Sequence, residues 1–350
     1  MIDMNENDLD QIIADCTEVL MVKPNDYKAL LNRCRAYGLK GDFDLAIADG
    51  NEAFRINPND YANGALKLLY DLGYAYLTKG DFDLAIAYYT EALKMMPNHY
   101  GSLRERSKAY YNKGDIDHAI ADYTEVLKIN PSDSEILINR GLAYANKGDN
   151  DRANSDYIEA FNILNDRGEE FYGDGDFDLA IEYFTKALKI NPDSYECLFG
   201  RGNSYYHKGD FDSAITDFTE VLKIEPPNVY KALFNRGLVY FKKGAYDLAI
   251  TDYTEVLKIM PDDYWALVSR GDAYNNKGDI DRAIEDYTEA LKIDPNACKT
   301  LLIRGQVYAV KGDFDRAIAD FEAVLKIDPY NVKAIENIDA IIRQIKAKAK

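Results

Sequence analysis

Metal or nucleophile chemistry in this chain would have to come from three histidines, His99, His118 and His207, and four cysteines, Cys16, Cys34, Cys197 and Cys298. Zinc is held by closely spaced pairs of such residues, and here they form neither a Cys-x-x-Cys nor a paired-histidine motif. No serine, cysteine or threonine stands in a nucleophile motif with a matched base. The recurring Gly-Asp-Phe-Asp has the acidic look of a calcium loop but lacks the ladder of ligands that follows in one. An aspartate at a helix N-cap with a second acid in the first turn explains it, because both favour the positive end of the helix dipole. Arg270-Gly271-Asp272 is an adhesion-type tripeptide, but it falls in mid-helix. His99 falls in a turn and His118 begins a helix, as solvated residues do. These residues predict no catalysis, no metal and no cofactor. They point instead to a binding protein.

The elements that position side chains here are marked by proline and glycine. Nine of the ten prolines stand at 24, 58, 97, 131, 192, 226, 261, 295 and 329, at intervals of 34, 39, 34, 61, 34, 35, 34 and 34. Glycines keep step at 41, 80, 114, 148, 175, 209, 244, 278 and 312, each 17 residues before a proline or, at Gly148, before Asn165 in the proline position. A unit of 34 residues is thus cut in half by glycine and closed by proline, and each half is a helix of three to four turns. In residues 262–295, Asp263 caps the first helix and Leu267, Ala273 and Tyr274 form its inner face. Gly278 stops that helix. Asp279 caps the second, whose Ile280, Ala283, Ile284, Tyr287, Ala290 and Leu291 recur at helical spacing. Neither helix can bury its face alone, so neighbouring units must stack.

Composition narrows the partner. The 350 residues carry 42 Lys+Arg against 60 Asp+Glu, a net charge of −18, and 47% are hydrophobic, ample for a core. Such acidity repels nucleic-acid backbones and anionic lipid, so neither nucleic acid nor membrane is expected as partner. Apolar runs are only a few residues long, and Met1-Ile2-Asp3-Met4 does not begin a signal peptide. Four unpaired cysteines fit a reduced compartment, so a cytoplasmic location is expected.

The unit Tyr264-Trp265-Ala266-Leu267, Gly271-Asp272-Ala273-Tyr274, Gly278-Asp279-Ile280, Ala283, Tyr287, Ala290 and Pro295 resembles a tetratricopeptide repeat, and the likeness recurs along nearly the whole chain. The resemblance implies an all-α fold, a right-handed superhelical solenoid of stacked antiparallel helix pairs. It also implies a non-catalytic scaffold that holds a peptide segment, helix or domain of a protein partner in its concave groove. The code residues and basic groove of RNA-reading helical repeats are not evident. The family's carboxylate clamp for chaperone tails is matched only in part, by Arg104, Lys108 and Asn139, so chaperone-tail binding is not expected. The competing reading is a self-assembling or regulatory subunit of a larger complex that uses its ends; a monomer is expected otherwise.

In this frame residues 1–350 are one array: a half-repeat over 8–24, nine helix pairs over about 25–329, and a capping helix over 331–347. Ile335, Ile338, Ile341, Ile342 and Ile345 make one apolar stripe on that last helix. A start on a half-repeat means either a minimal cap or a chain that continues upstream. Five extra residues around Tyr61-Ala62-Asn63-Gly64-Ala65 lengthen a loop or a helix. Seven residues are missing between Gly148 and Gly175, and nothing from Arg152 to Arg167 forces a stop. One long helix over about 150–172 is therefore expected at an irregular seam over about 150–175, dividing the array into two blocks.

Arginine precedes the small-residue position in eight repeats, at 33, 106, 140, 167, 201, 236, 270 and 304. Aspartate recurs in the second helix at 49, 122, 156, 217, 252, 286 and 320. These predict partly buried ion pairs within each repeat. In the second repeat both change, to Leu72 and Tyr88, and the fifth has Arg167 facing Tyr183.

First helices line the groove in the family, so inward positions are counted from the small residue. They give a partner-binding wall of Phe199, Tyr206, Phe234, Phe241 and Trp265, rimmed by Asn203, His207, Lys242 and Asn275. They also give a secondary basic strip of Lys28, Arg35, Lys67, Arg104 and Lys108.

Overall fold

The computed structural model describes residues 6–348 apart from 41, 58–64, 225 and 226. The inserted Tyr61–Gly64 and the prolines at 58 and 226 therefore lie outside the described residues. Among those described are 19 helices and no strand: α1 (Glu6–Val22), α2 (Tyr27–Lys40), α3 (Phe43–Ile56), α4 (Ala65–Lys79), α5 (Phe82–Met95), α6 (Tyr100–Lys113), α7 (Ile116–Ile129), α8 (Ser134–Asn146), α9 (Asn150–Asp174), α10 (Phe177–Ile190), α11 (Tyr195–Lys208), α12 (Phe211–Ile224), α13 (Val229–Lys242), α14 (Tyr246–Ile259), α15 (Tyr264–Lys277), α16 (Ile280–Ile293), α17 (Cys298–Lys311), α18 (Phe314–Ile327) and α19 (Val332–Lys348). The chain divides into two compact units, residues 1–163 and 164–350, and the division falls inside α9.

In the first unit α2 packs on α3, α4 on α5 and α6 on α7, with α1 against α2. In the second, α11 pairs with α12, α13 with α14, α15 with α16 and α17 with α18; α10 lies against α11 and α19 against α18. Each unit is an all-α stack of antiparallel helix pairs. Most helices have 14 residues, a length at which isolated helices are marginal in water, so their buried faces must hold them. Gly278 ends α15 at φ +88°, a left-handed turn open to glycine at no steric cost. Asp279 then caps α16 by accepting the backbone N–H of Arg282. The small-residue position is glycine for a second reason. A Cβ on Gly271 would come within 2.8 Å of the Tyr287 ring.

The predicted ion pairs are present as clamps. Arg270 donates through Nε and Nη2 to Asp286 at 2.8 and 2.7 Å. The same bidentate pair joins Arg33 to Asp49, Arg106 to Asp122, Arg140 to Asp156, Arg201 to Asp217, Arg236 to Asp252 and Arg304 to Asp320. Each arginine has a third partner that sequence spacing did not reveal. Its Nη1 donates to a threonine of the preceding second helix, as Arg270 does to Thr254 at 3.2 Å, Arg106 to Thr90 and Arg304 to Thr288. A planar fork with donors to spare suits this geometry better than a lysine would. A second, exposed row of pairs also crosses between repeats: Lys40 reaches Asp10 and Lys113 reaches Asp83, each at 2.5 Å.

Where the clamp residues change, the structure changes with them. Leu72 is fully buried beside Gly50, and Tyr88 donates to Asn51, which stands at the threonine position. Tyr88 also stacks on Tyr76 with centroids 5.3 Å apart. Arg167, which faces Tyr183 instead of an aspartate, pairs with Glu170 on its own helix at 2.7 Å. That helix, α9, runs unbroken through Asn165-Asp166 for 25 residues.

The isoleucines of α19 do not share one fate. Ile341 is buried and Ile338 half-buried, whereas Ile335, Ile342 and Ile345 are exposed. Five isoleucines span more of the helix circumference than the neighbouring helices cover.

Candidate functional site

The inner face of the first unit is built from α2, α4, α6 and α8. Its predicted basic strip is not a row of free cations. Arg35 Nε lies 3.5 Å from Asp71. Arg104 pairs with Glu135 at 2.5 Å, and Lys108 lies 3.3 Å from Glu135 and 3.6 Å from the buried Glu105. Lys67 and Arg35 both favour the Asp71 carboxylate, yet burial outweighs them and pushes its pKa up. Lys28 is exposed. Sequence counting found the cations and missed their carboxylates, because Asp71, Glu105 and Glu135 come from helices one repeat away or one turn on. Arg35, Lys67, Asp71, Tyr74 and Leu39 line a cavity of about 170 Å³. Its Cys34 thiol is pushed by burial to about 12, which leaves it an inert packing group.

The inner face of the second unit has a different chemistry. Phe199, Tyr206, Phe234 and Phe241 are half-buried. Each leans on a ring of the following helix: Phe199 on Phe218 at 5.7 Å, Tyr206 on Phe211 at 6.1 Å, Phe234 on Tyr253 at 5.7 Å and Phe241 on Tyr246 at 5.6 Å. The expected wall is therefore a groove floor continuous with the core, and these four rings serve packing as well as surface. Trp265 differs. It is 63% exposed and touches Tyr264 edge-on at 5.1 Å.

Between α11 and α13 this floor opens into a cavity of about 240 Å³ lined by Tyr172, Asn203, Tyr206, His207, Phe218, Asn235 and Leu238. Asn235 Nδ2 donates to Asn203 Oδ1 at 2.7 Å across it. A primary amide has two donors and two acceptor sites, so each asparagine keeps capacity for a ligand. The His207 ring stacks on Phe177 at 4.9 Å and lies 5.8 Å from Tyr172. Lys242 is exposed and Asn275 half-buried, both farther along the face. Asp272, the acid of the adhesion-type tripeptide, accepts the Tyr287 hydroxyl at 2.6 Å, and burial raises its pKa. Asn235 and Leu238 escaped the sequence reading. Their signal was the position two before and one after Gly237, which a count by threes and fours skips.

The other histidines are structural. His99 caps α6 by accepting the Ser102 backbone N–H, and His118 stacks on Tyr110 at 5.0 Å. Among the described residues no group of three His, Cys, Asp or Glu could hold a metal ion, and no helix is long and apolar enough to cross a membrane.

Sequence models described as tetratricopeptide repeat match residues 27–98, 70–134, 104–161, 165–229, 230–263, 264–297 and 298–331. No curated protein matches the chain significantly. Among solved structures, MamA from Desulfovibrio magneticus RS-1 is 24% identical, with 49% of this chain and 97% of that one covered and a TM-score of 0.47. YrrB, described as a TPR protein with an unusual peptide-binding site, is 19% identical over 61% of this chain and 96% of its own, with a TM-score of 0.42. A repeat protein from Parabacteroides merdae ATCC 43184 is 21% identical over 89% and 97%, with a TM-score of 0.35.

Proposed function

The chain belongs to the tetratricopeptide repeat family, and from that premise we propose that it is a non-catalytic scaffold whose second unit holds an extended, largely uncharged segment of a partner protein. Proteins built from these repeats are generally interaction scaffolds. The observation that carries the finer reading is the cavity between α11 and α13, with its Asn203–Asn235 amide pair set among Tyr172, Tyr206 and Leu238. Apolar walls take a side chain, and the amides take the donors and acceptors of the peptide backbone beside it. Trp265, exposed farther along the face, supplies a second anchor.

Selection of peptides from a display library against the full chain tests this. Enriched sequences should be apolar and short of charge, and Asn203→Ala with Trp265→Ala should abolish their binding while helix content stays unchanged. Peptides that bind the double variant as well as the parent would move the site elsewhere.

A further inference from the structure

The outermost helices of this 350-residue chain carry faces that their counterparts keep covered. By repeat position α1 is a second helix, and its Ile12, Asp15, Cys16 and Val19 align with Ala317, Asp320, Phe321 and Val324 of α18. Val324 is fully buried, whereas Val19 is 43% exposed. Asp320 is buried against Arg304, whereas Asp15 is exposed and accepts only from Gln11 of its own helix at 2.7 Å. By the same alignment α19 is a first helix, and its Ile335 and Ile342 hold the positions of Leu301 and Tyr308. Those two are buried in one cluster with Ala317, Phe321 and Val324. Ile335 and Ile342 are 43% and 38% exposed. The face α1 leaves open is the one a first helix covers, and the face α19 leaves open is the one a second helix covers.

The charges match as well. Described acids on α1 are Asp8, Asp10, Asp15 and Glu18, with no base on the helix. On α19, Lys333, Arg343 and Lys346 stand against Glu336 and Asp339. Two α19 helices would bring like charges together, whereas α19 against α1 brings opposite ones.

We infer that α19 of one copy packs on α1 of a second copy, completing a composite repeat, so that the chain associates head to tail. The contact joins two different faces and is heterologous. It lacks the arginine clamp of the internal repeats, since Ile338 stands at the arginine position. One helix pair is also a small interface, so the association is weak, with a Kd on the order of 10–100 µM. This inference stands apart from the groove: loss of peptide binding would leave it untouched.

Sedimentation velocity of the full chain from about 5 to 500 µM, a range spanning that Kd, tests it. The parent should grow in mass with concentration, less so in high salt. Val19→Lys and Ile342→Lys should each remain monomeric over the same range, with unchanged circular dichroism. Each variant keeps one intact face, the Val19→Lys chain its α19 and the Ile342→Lys chain its α1. An equimolar mixture of the two should therefore form a complex that stops at two copies. A parent monomeric throughout, a Val19→Lys chain that still associates, or a mixture with no complex would each overturn the inference.

Discussion

Arg35 and Asp71 in the first unit stand at the repeat positions that Asn203 and Asn235 hold in the second. The first pair is ionic, at 3.5 Å, beside a buried carboxyl whose pKa is raised. The second is a neutral amide pair at 2.7 Å. The scaffold beneath is the same, since clamps such as Arg106–Asp122 and Arg270–Asp286 hold both units. Stability and recognition are therefore written in different positions of the same helices. The clamps fix register and leave the inward positions open to vary. In the first unit those positions neutralise one another, so a charged partner must displace an internal carboxylate before it binds. In the second unit nothing has to be displaced, and the polar groups present are those that read peptide bonds.

The largest expected effect tests whether the scaffold is common to both units. Arg106→Ala and Arg270→Ala each leave an aspartate buried without its partner, together with a threonine robbed of its donor. Each should cost about 2–3 kcal/mol, below the fully buried case because the arginines keep some contact with water. Urea unfolding followed by circular dichroism measures this. A large cost in one unit and none in the other would mean that the clamps are not equivalent. The triple change Arg106→Leu, Asp122→Tyr, Thr90→Asn copies the solution of the second repeat and should cost less than Arg106→Ala, because it removes the charge and its partner together.

That triple change also shows what could be read from the sequence. The ruler of prolines and glycines gave the helices within a residue or two, as α9 shows: one helix was expected over about 150–172, and it spans Asn150–Asp174. Arginine and aspartate sixteen residues apart, as Arg270 and Asp286 are, could be paired because both belong to one repeat. Thr254 could not, because it sits in the preceding repeat and a threonine in a helix has many other uses. The site was less legible for a physical reason. Position predicts that Phe199 and Phe234 face inward, but not that rings of the next helix come up beneath them. Nor does position show that Arg104 and Lys108 meet Glu135. Burial and neutralisation depend on two repeats at once.

Next in size is the effect on binding. Trp265→Ala or Tyr206→Ala should weaken a peptide held by the second unit by about 2 kcal/mol each. Arg35→Ala should leave that affinity unchanged, and calorimetric titration with a selected peptide distinguishes the two. A smaller effect is expected from Glu105→Gln, which removes one of the carboxylates facing Lys108 and Arg104. An acidic peptide should then gain about 0.5–1 kcal/mol at low salt, and the gain should vanish at about 0.5 M salt as exposed charges are screened. No gain would mean that Glu135 alone holds both cations.

The smallest effect is a pH dependence that only ionisable groove positions can show. Burial raises the Asp71 carboxyl above its ordinary range, so the folded chain holds that proton more tightly than the unfolded chain does. Between the ordinary carboxylate pKa, about 4, and the raised one, the folded state binds more protons, and stability must fall as pH rises through that window. Lys67 and Arg35 oppose the shift without cancelling it. Asp71→Asn should therefore flatten the pH dependence of the first unit's unfolding and raise its stability at neutral pH by less than any change above. Asn235, at the same position in the second unit, has no proton to exchange, and Asn235→Ala should leave the pH profile unaltered. Asp272 is the groove carboxyl of the second unit that burial also raises. Asp272→Asn should act like Asp71→Asn in sign, less the hydrogen bond accepted from Tyr287. If Asp71→Asn instead lost stability at neutral pH, the attraction of Lys67 and Arg35 would outweigh burial, and the first unit's groove would be held together by its charges.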